Sequence, residues 1–204
     1  GAQFVANETY QKVVVVGADM MSSIVDYQDR NTCVIFGDGA AAVLLEPRKD
    51  GTGIQDFVLR GDGSGREFLH MKAGGSKLPA SAETVARREH FVYQDGKRVF
   101  KFAVEGMVST VKEVLRRNHL TIDDVAWIVP HPANMRIINS VGEHLGFPSE
   151  KVTVNISKYG NTTAGTLGLC MWEYEDRFQK GDNIVLTAFG GGFTWGSLYL
   201  KWAL

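Results

Sequence analysis

The stretch VAWIVPHPANMRIINSVGEHLGFPSEKVTVNIS, residues 125–157, decides the fold class of this chain. It predicts an apolar strand at 125–131, an amphipathic helix at 133–146 and a second strand at 151–157. Strands that alternate with helices are typical of an α/β fold in which helices cover both faces of a sheet. We therefore expect an α/β protein.

The pattern extends in both directions from this stretch. Downstream we predict a helix at 163–180 capped by Gly181, then strands at 183–192 and 195–202. Upstream, the apolar run KVVVVGAD at 12–19 predicts a parallel strand covered on both faces, because it lacks alternation. The remaining predicted elements are a helix within 2–10, two strands within 32–47 joined by a tight turn at 37–39, a strand at 54–60, an irregular segment at 71–89 with a short helix near 82–88, a helix at 99–118 and a capped turn at 121–124.

Composition excludes several classes of protein. The chain has 44% hydrophobic residues, 22% charged residues and a formal net charge of -1. These values show no bias towards nucleic acid or membrane surfaces, and no run of about 18 apolar residues predicts a transmembrane helix. We expect a soluble cytoplasmic protein that binds neither nucleic acid nor membrane.

Two cysteines are present, Cys33 in a predicted strand and Cys170 in a predicted helix. Their spacing does not suit a metal site, so we expect no bound metal. Free cysteines are usually buried, and both are interpreted as reduced structural thiols.

Polar and glycine residues follow three of the predicted strands. These are His131, the turn ending in Asn161, and the glycines at 190–192. Each has a structural explanation alone, as a buried histidine, a helix-capping asparagine and a flexible turn. Because ligands bind at the carboxyl ends of strands in open α/β sheets, their shared placement predicts a single pocket with features of an acyl-transfer site. No cysteine or serine stands where its nucleophile should be.

These motifs carry a family resemblance. VPHPANMRII at 129–138, YGNTTAG at 159–165 and AFGGGFTWGS at 188–197 resemble three motifs of β-ketoacyl-acyl-carrier-protein synthase III, and DRNTCVIFGDGAAAVLLEP at 29–47 matches as well. The resemblance implies a thiolase-like fold, with two α/β halves packed as α-β-α-β-α layers. Residues 1–48 would then end the first half, and residues 49–204 would form the second half with the active-site loops.

The resemblance also implies a reaction. An acyl group passes from coenzyme A to a cysteine, and malonyl-acyl carrier protein loses carbon dioxide and condenses with it, which initiates type II fatty acid synthesis. His131 and Asn161 correspond to the two catalytic donors to the malonyl thioester, and the Gly191 amide corresponds to an oxyanion-hole donor.

Binding residues follow from the same resemblance. It implies a homodimer that uses coenzyme A thioesters as substrates and has no other cofactor. Lys97 and Arg98 are either an extension of the basic surface expected to meet the acidic carrier protein or an ordinary solvated face. The implied contacts are Asn134 with the pantetheine arm, Arg30 with coenzyme A, Gly96 and Phe100 with the tunnel wall, and Lys101 and Arg136 with the carrier protein.

The sequence departs from the family pattern at three places. Pro132 stands where glutamine is common, and Ala41 stands where glycine is frequent. Glu143 and His144 occupy positions where some members have lysine, which weakens the expected carrier-protein surface.

The absent nucleophile is explained by the point at which the sequence starts. It begins without methionine, inside an αβ unit, so we expect a preceding half with the nucleophilic cysteine and an inactive isolated chain. A non-catalytic thiolase-fold subunit remains an alternative. So do a hydroxymethylglutaryl-CoA synthase or polyketide synthase and, because of the glycine turns, an actin-like sugar kinase.

Overall fold

The computed structural model describes residues 1–204 and contains eight strands and six helices. The strands are β1 (Val13–Asp19), β2 (Gly39–Leu45), β3 (Gly53–Gly61), β4 (Leu69–Met71), β5 (Val92–Gln94), β6 (Trp127–Pro130), β7 (Asn183–Gly190) and β8 (Thr194–Lys201). The helices are α1 (Ala2–Ala6), α2 (Ala82–Ala86), α3 (Gly96–Arg117), α4 (Met135–Leu145), α5 (Ile156–Tyr159) and α6 (Thr166–Tyr174).

The strands form three sheets. The largest has the order β3-β8-β7-β6, in which β6 and β7 are parallel and the other neighbours are antiparallel. β1 pairs with β2, and β4 pairs with β5, both in antiparallel fashion. The strands predicted at 54–60, 183–192 and 195–202, the long helix and the short helix near Ala82 are thus confirmed.

Helices cover both faces of the four-stranded sheet. Ile128 and Val185 belong to the core shared with α3 and α4, whereas Val129 and Ile184 belong to a second core with Cys170 of α6. Adjacent residues of a strand point to opposite faces, so this alternation places the sheet between the two helical layers.

Helix α6 also packs against the β1–β2 sheet. A Cβ at Gly168 would lie 2.5 Å from the Ala41 side chain, and a Cβ at Gly39 would lie 3.2 Å from Leu169. The order of layers is therefore α3 with α4, the four-stranded sheet, α6, and the β1–β2 sheet.

The apolar run at 12–19 forms the predicted strand. Within residues 1–204, β1 pairs with antiparallel β2 and a helix covers one face of the pair, whereas Val14 and Val16 are 62% and 64% exposed. The predicted parallel neighbour and the cover on the second face are not among these residues and stay predictions.

The segment at 32–36, predicted as a strand, forms turns over 32–35 instead, and Phe36 makes only an isolated bridge with Asn161. The Asp29 carboxylate accepts hydrogen bonds from Asn31 N and Thr32 Oγ1, at 2.9 and 3.0 Å, and Cys33 N donates to Asp29 O. Side chains such as this favour turns over strands. Cys33 therefore lies in a turn and is only partly buried, which corrects its predicted place in a buried strand.

The strand predicted at 151–157 is reduced to a single bridge between Ile128 and Val152. Thr153 N donates to Ile128 O at 3.0 Å, but the next bond of the ladder would need an N–H from Pro130. Proline has none, so the pairing stops and the chain turns into α5.

The helix predicted at 163–180 is shorter than expected. A 3₁₀ turn at Thr163–Gly165 precedes α6, and a second at Glu175–Arg177 follows it. Gly181 has φ +93 and lies in the turn before β7, so it does not cap the helix.

Candidate active site

Strand register brings two of the predicted motifs to one edge of the sheet. Ile128 is level with Val185 in β7, and the two strands run in the same direction. His131 after β6 and the glycine turn after β7 therefore emerge at the same edge. The segment that leads to Asn161 runs in this direction too, through the bridge between Ile128 and Val152, and Asn161 comes after α5.

His131 is held by its backbone. Its N–H donates to Thr187 O at 2.7 Å, and its carbonyl accepts from Ala133 N at 2.8 Å, whereas its imidazole makes no hydrogen bond within the chain. The side chain is partly exposed at the edge but closely surrounded, and burial lowers its pKa from 6.5 to about 4. At neutral pH the ring is therefore uncharged, with one N–H donor available.

Asn161 is 7% exposed and is tied to a distant part of the chain. Its N–H donates to Ile35 O at 2.8 Å, and its carbonyl accepts from Gly37 N at 3.0 Å. Its side-chain Oδ1 accepts from Thr163 N at 2.9 Å. The carboxamide closes a local turn and does not cap a helix, contrary to the structural explanation, and its Nδ2 keeps both N–H groups free to donate.

The loop around Asn161 fits tightly against the turn that precedes β2. A Cβ at Gly37 would lie 2.1 Å from Tyr159 O, so only glycine allows this approach. Gly160 adopts φ +69, a left-handed conformation that suits glycine. Both glycines therefore set the position of Asn161.

Gly191 lies in the turn between β7 and β8, and no backbone carbonyl accepts its N–H. A Cβ at this position would lie 3.6 Å from Leu69 O, an ordinary contact. Packing within the chain therefore does not require glycine here, and the exposed N–H is available to a ligand.

Three predicted binding residues meet where α3 and α4 begin. Asn134 caps α4, because its Oδ1 accepts from Arg136 N at 2.8 Å. The Arg136 guanidinium lies 5.5 Å from the centre of the Phe100 ring, a distance that suits a cation–π contact. Phe100 also packs against the main core, so it contributes to stability as well.

The remaining predicted residues are more isolated. Gly96 opens α3, and a Cβ at this position would meet nothing within 4 Å, whereas Lys101 is exposed on the next turn. Arg30 is exposed in the turn after Asp29. It forms no ion pair and no cation–π contact with Phe100.

The basic surface is smaller than its charges suggest. Arg98 pairs with Asp95 at 3.6 Å and lies 4.4 Å from the Phe68 ring centre, whereas Lys97 is exposed. Glu143 and His144 are exposed on α4, and His144 Nδ1 lies 2.7 Å from Ser140 O.

Cys170 does not supply a nucleophile at this edge. It belongs to α6 and is fully buried in the second core, and burial raises its pKa to about 11. A thiol in that state is not a thiolate at neutral pH.

No group of three His, Cys, Asp or Glu side chains is arranged to hold a metal ion.

Sequence reasoning missed Asp19, the last residue of β1. Its carboxylate accepts hydrogen bonds from Thr163 Oγ1 and from Ala164 N, the latter at 3.0 Å. The only signal in the sequence was a polar residue after an apolar strand.

Comparison with known proteins agrees with this geometry. The profile of 3-oxoacyl-acyl-carrier-protein synthase III matches residues 1–63, and the profile of its C-terminal part matches residues 115–202. The chain is 54% identical over 202 residues to β-ketoacyl-acyl-carrier-protein synthase III 1 of Bacteroides thetaiotaomicron. The chain belongs to the β-ketoacyl-acyl-carrier-protein synthase III family.

Other members of the β-ketoacyl-acyl-carrier-protein synthase III family align in the same way. The enzyme of that name from Porphyromonas gingivalis is 50% identical over 203 residues. These alignments cover 99% and 100% of this chain, which spans 60% and 61% of the length of the two relatives. The actin-like kinase alternative is overturned by this family membership.

Solved structures of the β-ketoacyl-acyl-carrier-protein synthase III family confirm the thiolase-like fold. The protein from Thermus thermophilus matches with a TM-score of 0.90 and 38% identity, over 99% of this chain and 62% of that one. The protein from Aquifex aeolicus matches with a TM-score of 0.87 and 37% identity, over 98% of this chain and 61% of that one.

None of the helices is both long and apolar enough for a membrane span.

Proposed function

We propose that His131, Asn161 and Gly191 stabilise negative charge in a decarboxylative Claisen condensation. In this reaction an acyl-CoA primer and malonyl-acyl carrier protein initiate type II fatty acid synthesis. The observation that carries the proposal is a pair of uncharged donors, the neutral His131 ring and the free Asn161 Nδ2. The names of the relatives support the same reaction class.

Uncharged donors suit the chemistry. When the malonyl thioester loses carbon dioxide, the electron pair of the broken bond moves to the thioester oxygen and forms an enolate. N–H groups of imidazole and carboxamide stabilise that oxygen without a carboxylate that would repel it. The burial that lowers the pKa of His131 keeps the ring neutral throughout the range in which the reaction would operate.

The second step joins two carbon atoms. The enolate carbon attacks the carbonyl of an acyl group bound to a cysteine, and the resulting oxyanion accepts a hydrogen bond from Gly191 N–H. The oxyanion then collapses and releases the cysteine thiolate. The proposal requires a cysteine nucleophile at this edge, a role that the buried Cys170 does not fill.

Substrate recognition is proposed at the starts of α3 and α4. Asn134, Phe100 and Gly96 are proposed to line the path of the pantetheine arm. The contact between the Arg136 guanidinium and the Phe100 ring supports a position for Arg136 beside this path. Lys101 and Arg136 are exposed cations that would meet an acidic carrier protein. Arg30 is proposed to contact coenzyme A, and it has a free guanidinium for that purpose.

The division into residues 1–48 and 49–204 is also proposed. It is supported by the separate β1–β2 sheet, which ends at Leu45, and by the four-stranded sheet, which begins at Gly53. Use of coenzyme A thioesters without another cofactor, a homodimer and a cytoplasmic location stay predictions.

The proposal is tested by His131→Ala and Asn161→Ala in the native protein. Loss of one oxyanion donor typically lowers turnover by about 10²- to 10³-fold, and we expect each variant to lose malonyl-dependent condensation to that extent. Carbon dioxide release from malonyl-acyl carrier protein should fall in parallel, because decarboxylation forms the same enolate. Normal rates in either variant would remove that residue from the proposed site.

A further inference from the structure

The carboxylate of Asp19 holds the loop that follows Asn161. Thr163 Oγ1 and Ala164 N both donate to Asp19 Oδ2, from residues 144 and 145 positions further along the chain. Strand β1 also packs closely against this loop at a second position, because a Cβ at Gly17 would lie 2.2 Å from Ala164 O. The end of β1 thus fixes two consecutive residues of the active-site loop.

Thr163 needs such a restraint. Its φ of +48 lies in the left-handed region, which a β-branched residue rarely adopts. In this conformation its N–H points to Asn161 Oδ1, at 2.9 Å. Such unfavourable backbone conformations persist only where the surroundings enforce them. Thr163 is held by its hydroxyl bond to Asp19 and by Thr166 Oγ1, which donates to Thr163 O at 2.7 Å, and of these only Asp19 comes from outside the loop and its helix.

The orientation of the Asn161 carboxamide depends on Thr163. Oδ1 and Nδ2 exchange places when the amide rotates by half a turn, and only one arrangement offers a donor to the substrate. The N–H of Thr163 selects that arrangement because it can bind Oδ1 but not Nδ2.

We propose that Asp19 is a positioning residue for the condensation: it holds Thr163 in the left-handed conformation whose N–H fixes Asn161 with Nδ2 towards the malonyl thioester oxygen. Asp19 does not touch the substrate. The inference rests on the proposed function, because it gives Asp19 a role through the donor assigned there.

The first test compares Asp19→Ala, Asp19→Asn and Asp124→Ala in the native protein, with acetyl-CoA and malonyl-acyl carrier protein as substrates. A misplaced catalytic group costs up to about 10²-fold, so Asp19→Ala should lower kcat by about 10- to 100-fold with little change in KM. Asp19→Asn should keep most of the activity, since its amide oxygen can accept both hydrogen bonds.

Asp124 provides a matched control. Its Oδ2 also accepts from a threonine hydroxyl and a backbone N–H, those of Thr121, at 2.8 and 2.7 Å. It lies before β6, at the opposite edge of the sheet from His131. Asp124→Ala should therefore lower the thermal unfolding midpoint and leave kcat near the wild-type value.

The second test asks whether Asp19 acts through the conformation of Thr163. Glycine adopts a left-handed φ without a steric penalty, so Thr163→Gly removes the need for the restraint. Asp19→Ala should then have a much smaller effect on kcat in the Thr163→Gly background than in the wild type. Thr163→Val, which loses only the hydroxyl donor, should reproduce the loss even if Asp19→Ala does not fold.

Three results would overturn the inference: wild-type kcat in both Asp19→Ala and Thr163→Val, an Asp19→Asn variant as impaired as Asp19→Ala, or an undiminished effect of Asp19→Ala beside Thr163→Gly. Each leaves the proposed function intact as long as Asn161→Ala abolishes decarboxylation. If the Asn161→Ala variant decarboxylates malonyl-acyl carrier protein at the normal rate, the proposed function itself is wrong.

Discussion

His131 and Asn161 serve the same proposed purpose but are positioned in different ways. His131 follows β6 directly, and its backbone pairs with Thr187 of the neighbouring strand. Asn161 follows a one-turn helix, and its backbone and loop are held by Ile35, Gly37 and Asp19, more than 100 residues earlier. One donor is placed by the sheet that it follows, and the other by a separate sheet and the turn that precedes β2.

This difference has a consequence for the fold. The β1–β2 sheet contains none of the proposed catalytic donors, yet the turn before it and the last residue of β1 fix the Asn161 loop. Changes in the first 48 residues should therefore impair Asn161 selectively and leave His131 in place.

The largest expected effect comes from Gly37→Ala. The added Cβ would lie 2.1 Å from Tyr159 O, so the loop must move, and Gly37 N would lose its bond to Asn161 O. A displacement of about 1 Å can cost about 10²-fold, and we expect a loss of that order in carbon dioxide release from malonyl-acyl carrier protein.

Gly75→Ala is the control for that variant. A Cβ at Gly75 meets nothing within 4 Å, so decarboxylation should stay at the wild-type rate. An active Gly37→Ala protein would show that the first 48 residues do not determine the position of Asn161.

A second prediction concerns His131 and pH. Its pKa is about 4 in the folded protein against an ordinary value of 6.5. Between these values the unfolded chain binds a proton that the folded chain does not, so the free energy of unfolding falls as the pH drops from about 6.5 to about 4. The loss attributable to this group amounts to roughly 3 kcal/mol at most.

Urea unfolding of the wild type and His131→Gln, each at about pH 7.5 and about pH 5, measures this contribution. The variant should lose less stability on acidification than the wild type. Equal pH dependence in the two proteins would mean that His131 is not held neutral by burial.

The smallest effect is expected at the carrier-protein surface. Arg136→Ala removes an exposed cation and its contact with Phe100, so the KM for malonyl-acyl carrier protein should rise by a few-fold at low salt. Added salt should reduce the difference, because screening weakens exposed charge pairs. Steady-state kinetics across a salt titration measures both effects.

Arg177→Ala is a matched control for this surface. Arg177 lies over the rings of Trp127 and Tyr174, at 5.3 and 5.2 Å, near the start of β6 and away from the proposed site. An increase in KM as large as that of Arg136→Ala would indicate general destabilisation instead of carrier-protein binding.

The sequence predicted the strands and helices that depend on local pattern. The strands of the four-stranded sheet, α3 and α4 follow from apolar periodicity, and the family motifs indicated both proposed donors. The prediction failed where one residue changes hydrogen bonding. Pro130 has no N–H to donate to Thr153, so the ladder stops there. The Asp29 side chain accepts hydrogen bonds that stabilise turns in an apolar segment that otherwise resembles a strand.

The support of Asn161 was beyond sequence reasoning for a different reason. Asp19 and Thr163 are far apart in the chain, and neither residue type in isolation indicates a contact. Nor does a threonine in the sequence reveal that it adopts φ +48. Such long-range contacts are visible only in the folded structure.

The central claim is that Asn161 and His131 share the malonyl thioester oxygen. A crystal structure of the native protein with a non-hydrolysable malonyl thioester analogue tests it most directly. We expect that oxygen within about 3.2 Å of Asn161 Nδ2 and of one His131 ring nitrogen, while Thr163 N still donates to Asn161 Oδ1. A thioester oxygen bound elsewhere, or a carboxamide rotated so that Oδ1 faces it, would contradict the account.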